Sequence, residues 1–285
     1  MNWFYLAILA PALYAIINIL DDNLLRKVYK TPEFGTIITG LFSLLPLLSL
    51  LFIKITIPSI HIILSAMIAG LLMIFSYLFY FKSLKTETPS VVAALWMFSA
   101  AIVPFLAYLL LNEELSFFQY LGFSIVLISS IGISGFSFKN LRFSKALYLM
   151  FIASLISAFV ALIEKYVYNS LDFWSGFIFF SIGMSIGSLS LSIFTKKGRS
   201  FFKEFQNSFK QWGWIFILSE LLNIVAVLIF NLAVSKGPVS LVSVLSGIQP
   251  LYVLFFAIFL YPYFPKHFRE AIHGNKLKRA LFMIL

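Results

Sequence analysis

Glu220 lies about nine residues into an otherwise apolar run, Trp212–Val234, with Ser219 before it and Asn223 three residues on. Residues three apart share a helix face, so Glu220 and Asn223 form one polar patch. Asn231 lies eight residues beyond Asn223 on roughly the same side. A carboxylate deep in an apolar segment is costly and normally faces a cavity or a partner. The chemistry it offers is proton coupling or ligation of a solute amine. The plainer alternative is a protonated Glu hydrogen-bonded between helices.

A second pattern is Gly247 followed by Gln249-Pro250, inside the apolar run Pro238–Leu260. Proline frees a backbone carbonyl and glycine lets another backbone approach closely. A helix broken in this way can present those groups, and the Gln249 amide, to a solute. An ordinary proline kink is the competing reading. Asn18 and Trp96, with Tyr14, Tyr77 and Tyr80, are further cavity candidates. Tyr80 and Trp96 would equally suit an interfacial aromatic belt. Glu113 and Glu114 read as an extracellular helix end, with a gating role as the alternative, and Glu164-Lys165 as an adjacent solvated pair. The sequence holds no His-Glu-x-x-His, no Gly-x-Ser-x-Gly and no glycine-rich phosphate loop. The expectation is therefore no enzyme, no catalytic residue, no metal site and no cofactor.

These residues need elements to hold them. Of 285 residues, 61% are hydrophobic and 11% charged, with a mean hydropathy of +0.98. A soluble domain has about 45–50% apolar and about 25% charged residues. The composition therefore excludes a soluble enzyme and a disordered tail, and the absence of cysteine excludes a disulfide scaffold. The fold class is all-α, a polytopic membrane protein. Hydropathy places nine spans at Trp3–Leu20 (ended by Asp21 and Asp22), Phe34–Ile53, Ser59–Phe81, Pro89–Leu111, Phe117–Phe136, Lys145–Tyr168, Phe173–Thr195, Trp212–Val234 and Pro238–Leu260. After the basic run Lys276–Arg279 only Ala280–Leu285 remain, which reads as a tenth helix cut short.

The net charge of +10 points to topology, not to nucleic acid. Loops following odd-numbered spans hold 18 Lys and Arg residues, and those following even-numbered spans hold three, Lys54, Lys165 and Lys236. The positive-inside rule then puts the N-terminus outside. The chain also repeats. A shift of 143 lays Tyr5-Leu6 on Tyr148-Leu149, Ala10 on Ala153, Asp21 on Glu164 and Gly40 on Gly183. A shift of 149 lays Phe81 on Phe230 and Pro89 on Pro238. Residues 1–137 and 145–285 thus read as two five-span repeats. An odd number of spans inverts the second copy, the usual build of a secondary transporter with a midplane site.

Thr86-Glu87-Thr88-Pro89-Ser90-Val91-Val92-Ala93-Ala94-Leu95, Leu110–Ser116 and Gly122, echoed by Lys236–Leu241 and Gln249-Pro250-Leu251, resemble an EamA-like repeat. The whole chain is similar to the ten-helix branch of the drug/metabolite transporter superfamily. The resemblance implies a pathway lined by spans 1, 3, 4, 6, 8 and 9. The Glu114-Leu115-Ser116 end of span 4 has Tyr263-Phe264-Pro265 as its counterpart, so an acid there has no symmetric role. The expected function is a secondary transporter of a small polar metabolite, for example an amino acid, by alternating access in the export direction. The alternative is a scaffold or lipid-moving relative. The expected setting is the plasma (inner) membrane. Expected partners are the lipid bilayer, the solute and protons as coupling ion, with a homodimer as an allowed assembly. The loop charges predict that a reporter active only in cytoplasm is silent at the N-terminus; activity there would reverse the orientation.

Overall fold

A computed structural model of the chain describes residues 2–29, 31–133 and 145–260. Among the described residues there are ten α-helices and no strand. They are α1 (Trp3–Lys27), α2 (Pro32–Phe42), α3 (Ile60–Leu84), α4 (Pro89–Leu111), α5 (Phe117–Ile133), α6 (Lys145–Ser170), α7 (Phe173–Phe194), α8 (Phe201–Lys236), α9 (Val239–Leu245) and α10 (Gln249–Leu260). Eight segments among the described residues are long and apolar enough to cross a membrane, counting α2 with the 3-10 turn after it and α9 with α10. The protein is a polytopic helical membrane protein. The expected tenth span lies outside the described residues.

Local chemistry starts and stops these helices. Proline opens α2 and α4, where a missing N–H costs nothing. The Thr31 hydroxyl oxygen accepts from Phe34 N at 3.3 Å, and Asp172 Oδ1 accepts from Ser175 N at 3.0 Å to cap α7. Asn112 adopts a left-handed conformation, φ 53°, and ends α4.

Three spans depart from expectation. The first does not stop at Leu20: α1 continues to Lys27, because Asp21 and Asp22 find partners inside the bundle. Asp22 forms an ion pair with Arg26, one turn on. The second, expected to run from Phe34 to Ile53, is a helix only to Phe42 and then tightens into a 3-10 turn, Leu45–Leu51, that contains Pro46. The eighth starts at Phe201, not Trp212. The basic connection before it coils into the helix, because Phe201 buries its ring against Phe34, with centroids 5.0 Å apart.

Hydrogen bonds fix the helix directions. Ser76 Oγ donates to Ala153 O and Ser83 Oγ to Ala146 O, so α3 and α6 run antiparallel. Ser188 Oγ donates to Ile37 O, whereas Ser43 Oγ donates to Ser181 O, so α2 and α7 also run antiparallel. Trp3 packs on Gly237, and Lys165 reaches the Gly237 carbonyl, so the start of α1 and the end of α6 share one end of the bundle. The repeat-related pairs α1/α6 and α2/α7 are therefore inverted. The same directions collect Arg26, Lys27, Lys82, Lys85 and Lys145 at one end, and Lys165 and Lys236 at the other.

The α3–α7 crossing brings two backbones into contact at small residues. A Cβ on Gly70 would collide with the Phe180 carbonyl oxygen, and one on Gly183 with the Met67 carbonyl oxygen. Such crossings replace the hydrophobic drive that a membrane does not supply. Gly183→Ala is expected to destabilise the protein by about 1–3 kcal/mol through overpacking. Gly122→Ala, with nothing near its Cβ, should be neutral. Thermal unfolding in detergent checks both, and an unchanged midpoint for Gly183→Ala would refute the close crossing.

Candidate functional site

Polar side chains from α1, α3, α4, α6, α8 and the broken α9–α10 span converge on a cavity of about 100 Å³, joined by Thr39 of α2 and Phe180 of α7. These are the spans that the resemblance implies. Glu220, Asn223, Gln249, Asn18, Trp96, Tyr14, Tyr77 and Tyr80 all lie on its wall. Trp96 meets Tyr80 edge-on, with centroids 5.6 Å apart, so neither serves as a membrane-interface aromatic.

Among the described residues, the cavity wall holds three carboxyl groups, Asp21, Glu164 and Glu220, and no Lys, Arg or His. All three are at least nine-tenths buried. Asp21 accepts from Tyr80 OH at 3.1 Å and from Ser219 Oγ at 3.3 Å. The Tyr80 hydroxyl also stands 2.9 Å from Asn18 Oδ1, and so ties two residues of α1 to α3. Glu220 Oε1 accepts from Thr39 Oγ1 at 3.1 Å, and the Asn223 side chain, one turn on, lies within hydrogen-bonding range of the same carboxyl. Among the described residues, Asn18 Nδ2 has no hydrogen-bond partner. Glu164 is within hydrogen-bonding range of the Asn231 amide. Asn231 in turn accepts from Tyr168 OH at 2.6 Å and donates to Val227 O.

Two of the acids were not expected here. Asp21 reads from sequence as the polar stop of a span, yet it points into the bundle. Glu164 reads as half of a solvated pair with Lys165, which is a correction: Glu164 is buried on the cavity wall. Lys165 turns away from it and donates to Val234 O at 3.1 Å and Gly237 O at 2.8 Å. Neighbours in a helix point about 100° apart, so adjacent charges need not share an environment. The signal available was the repeat itself, which lays Asp21 on Glu164. Thr39, Ser243 and Ser246 also line the cavity and carry no pattern that marks them out.

The two ends of the cavity are built differently. Beyond Asp21 and Glu220, towards the basic end, Tyr29 stacks on Phe216 at 5.3 Å between centroids. Phe34, Phe81 and Phe201 complete a buried aromatic cluster there. At the opposite end, Glu113 caps α9. It accepts from Val239 N at 3.0 Å, Ser240 N at 3.1 Å and Ser240 Oγ at 2.8 Å. Lys165 completes this end by satisfying carbonyls at the close of α8.

An inverted helical bundle around a polar cavity is the architecture of a solute transporter. The EamA-like transporter family model matches residues 1–135 and 144–266, and the chain belongs to that family, membrane transporters of the drug/metabolite type. Among matching solved structures, one titled "Crystal structure of protein" is similar over 99% of this chain and 94% of its own. It is 15% identical with a TM-score of 0.66, a likeness of fold. No curated protein matches the chain.

The Tyr80 hydroxyl is the shared donor that joins α1 to α3. Tyr80→Phe should leave Asn18 Oδ1 without its partner and lower stability by about 1–3 kcal/mol. Thermal unfolding in detergent measures this, and a wild-type midpoint would show that the hydroxyl does not hold the wall together.

Proposed function

We propose that the protein is a secondary transporter that moves a small polar, amine-bearing metabolite through this cavity by alternating access, in the export direction, across the plasma membrane. One observation carries the reading: three buried carboxyl groups line a cavity between inverted halves, with no basic side chain on its wall among the described residues. A packed scaffold has no use for such groups, each of which costs stability. The aromatic cluster and the Glu113–Lys165 region are the natural gates, because they close opposite ends with separable contacts. Rocking one repeat against the other would open them in turn. The sequence carries no nucleotide-binding motif, so an ion gradient is the fitting energy source. Proton exchange at Glu220 would couple to it.

The test is solute counterflow and pH-driven transport in proteoliposomes. Glu220→Gln should slow transport by about tenfold or more, the worth of one charge-assisted hydrogen bond. It should also flatten the pH dependence. Unchanged rate and pH profile would remove Glu220 from the mechanism.

A further inference from the structure

The acids of the cavity are not one cluster but two. Asp21 and Glu220 approach each other through the α1–α8 contact, where Ser219 also bonds Asp21. Glu164 sits beside Asn231. Glu220 and Asn231 are eleven residues apart on α8, about 16 Å along its axis. The two acidic ends therefore lie at different depths of one cavity. Tyr77 lies within electrostatic reach of all three carboxyl groups, and so belongs between the ends. Trp96 packs against both Tyr77 and Tyr80, with centroids 6.3 and 5.6 Å apart. The middle of the cavity is thus aromatic, and its ends are anionic or hydrogen-bond accepting.

We infer that the cavity is built for a linear solute with two ammonium groups joined by an apolar chain. This inference rests on the transport reading above and names its solute class. One ammonium meets the buried carboxyl groups of Glu220 and Asp21, which face the cavity from α8 and α1. The other meets Glu164, whose neighbour Lys165 is occupied with backbone carbonyls and leaves that charge unopposed. The aromatic faces between them suit methylene groups and cations in transit. A zwitterion fits badly. Its carboxylate would lie among three carboxyl groups, with no basic side chain among the described wall residues to receive it.

The experiment is equilibrium binding to the full chain in lipid nanodiscs, using 1,6-diaminohexane, spermidine, hexylamine and 6-aminohexanoate. The diamine and spermidine should bind about tenfold or more tighter than hexylamine, because a second charge-assisted contact is made. The zwitterion should bind weakest. Glu164→Gln should bring the diamine down to the hexylamine level and leave hexylamine unaffected, whereas Glu220→Gln should weaken both. The wild-type series stands even where a variant fails to fold. Binding of 6-aminohexanoate equal to that of the diamine, or no binding of the amines, overturns the inference. Counterflow separates this from the transport reading. Transport of another solute without diamine binding overturns the solute class alone. Diamine binding without diamine exchange in proteoliposomes overturns transport and leaves the binding class standing.

Discussion

Placing three carboxyl groups in a helical membrane bundle, with no base opposite any of them among the described residues, is the constraint that the rest of the structure serves. An isolated buried charge costs several kcal/mol, and neutral partners can offset only part of that. Here each acid is met by hydroxyls or amides from another helix: Tyr80 and Ser219 at Asp21, Thr39 at Glu220, Asn231 at Glu164. Those donors must arrive at fixed registers. The glycine-mediated α3–α7 crossing, the serine bonds between α3 and α6, and the capped ends of α4 and α9 hold the helices there. A polar site in lipid is thus a demand on helix packing before it is a binding surface.

Inversion of the repeats explains why the acids divide. Asp21 and Glu164 occupy equivalent points of α1 and α6, but these helices run in opposite directions, so equivalence places them at opposite depths. Divergence then gave them unlike surroundings. The residue after Asp21 is Asp22, paired with Arg26 on its own helix. The residue after Glu164 is Lys165, which holds the end of α8. The two ends are also packed by different physics, one with stacked rings and the other with charged caps on helix termini. Apolar and charge-assisted contacts need not break under the same conditions, which suits the proposed alternating access.

Much of this was legible in the sequence. The apolar runs mark the spans because a backbone crossing lipid must satisfy its own hydrogen bonds, which a helix does within one segment, and the span Pro89–Leu111 is the helix α4. Glu220, Asn223 and Gln249 stand out as polar groups in apolar surroundings. The break near Gly247 is visible as a Gly and a Pro three residues apart. What sequence reasoning missed lies where polarity was taken as an end. Asp21 and Asp22 look like a helix stop because hydropathy counts a charge as solvated, and it cannot see the Tyr80 hydroxyl that a distant helix supplies. Glu164 looks solvated because Lys165 follows it, although the two side chains leave the helix in different directions. The break at Pro46 was hidden by a run that stays apolar through the 3-10 turn. At Asp21 the deciding contact is tertiary.

The central claim is a wet, electronegative hollow in the middle of the bundle. The chain has no cysteine, so single cysteines report without background. The most direct measurement compares the rates at which a cationic and an anionic methanethiosulfonate reagent modify cysteines at Ser243, Ser246 and Asn223 in native membranes, with Ile186, exposed in the middle of α7, as the outward-facing reference. The three cavity positions should react, Ile186 should not, and the cationic reagent should be the faster. Equal rates for the two reagents, or cavity positions as inert as Ile186, would contradict such a hollow.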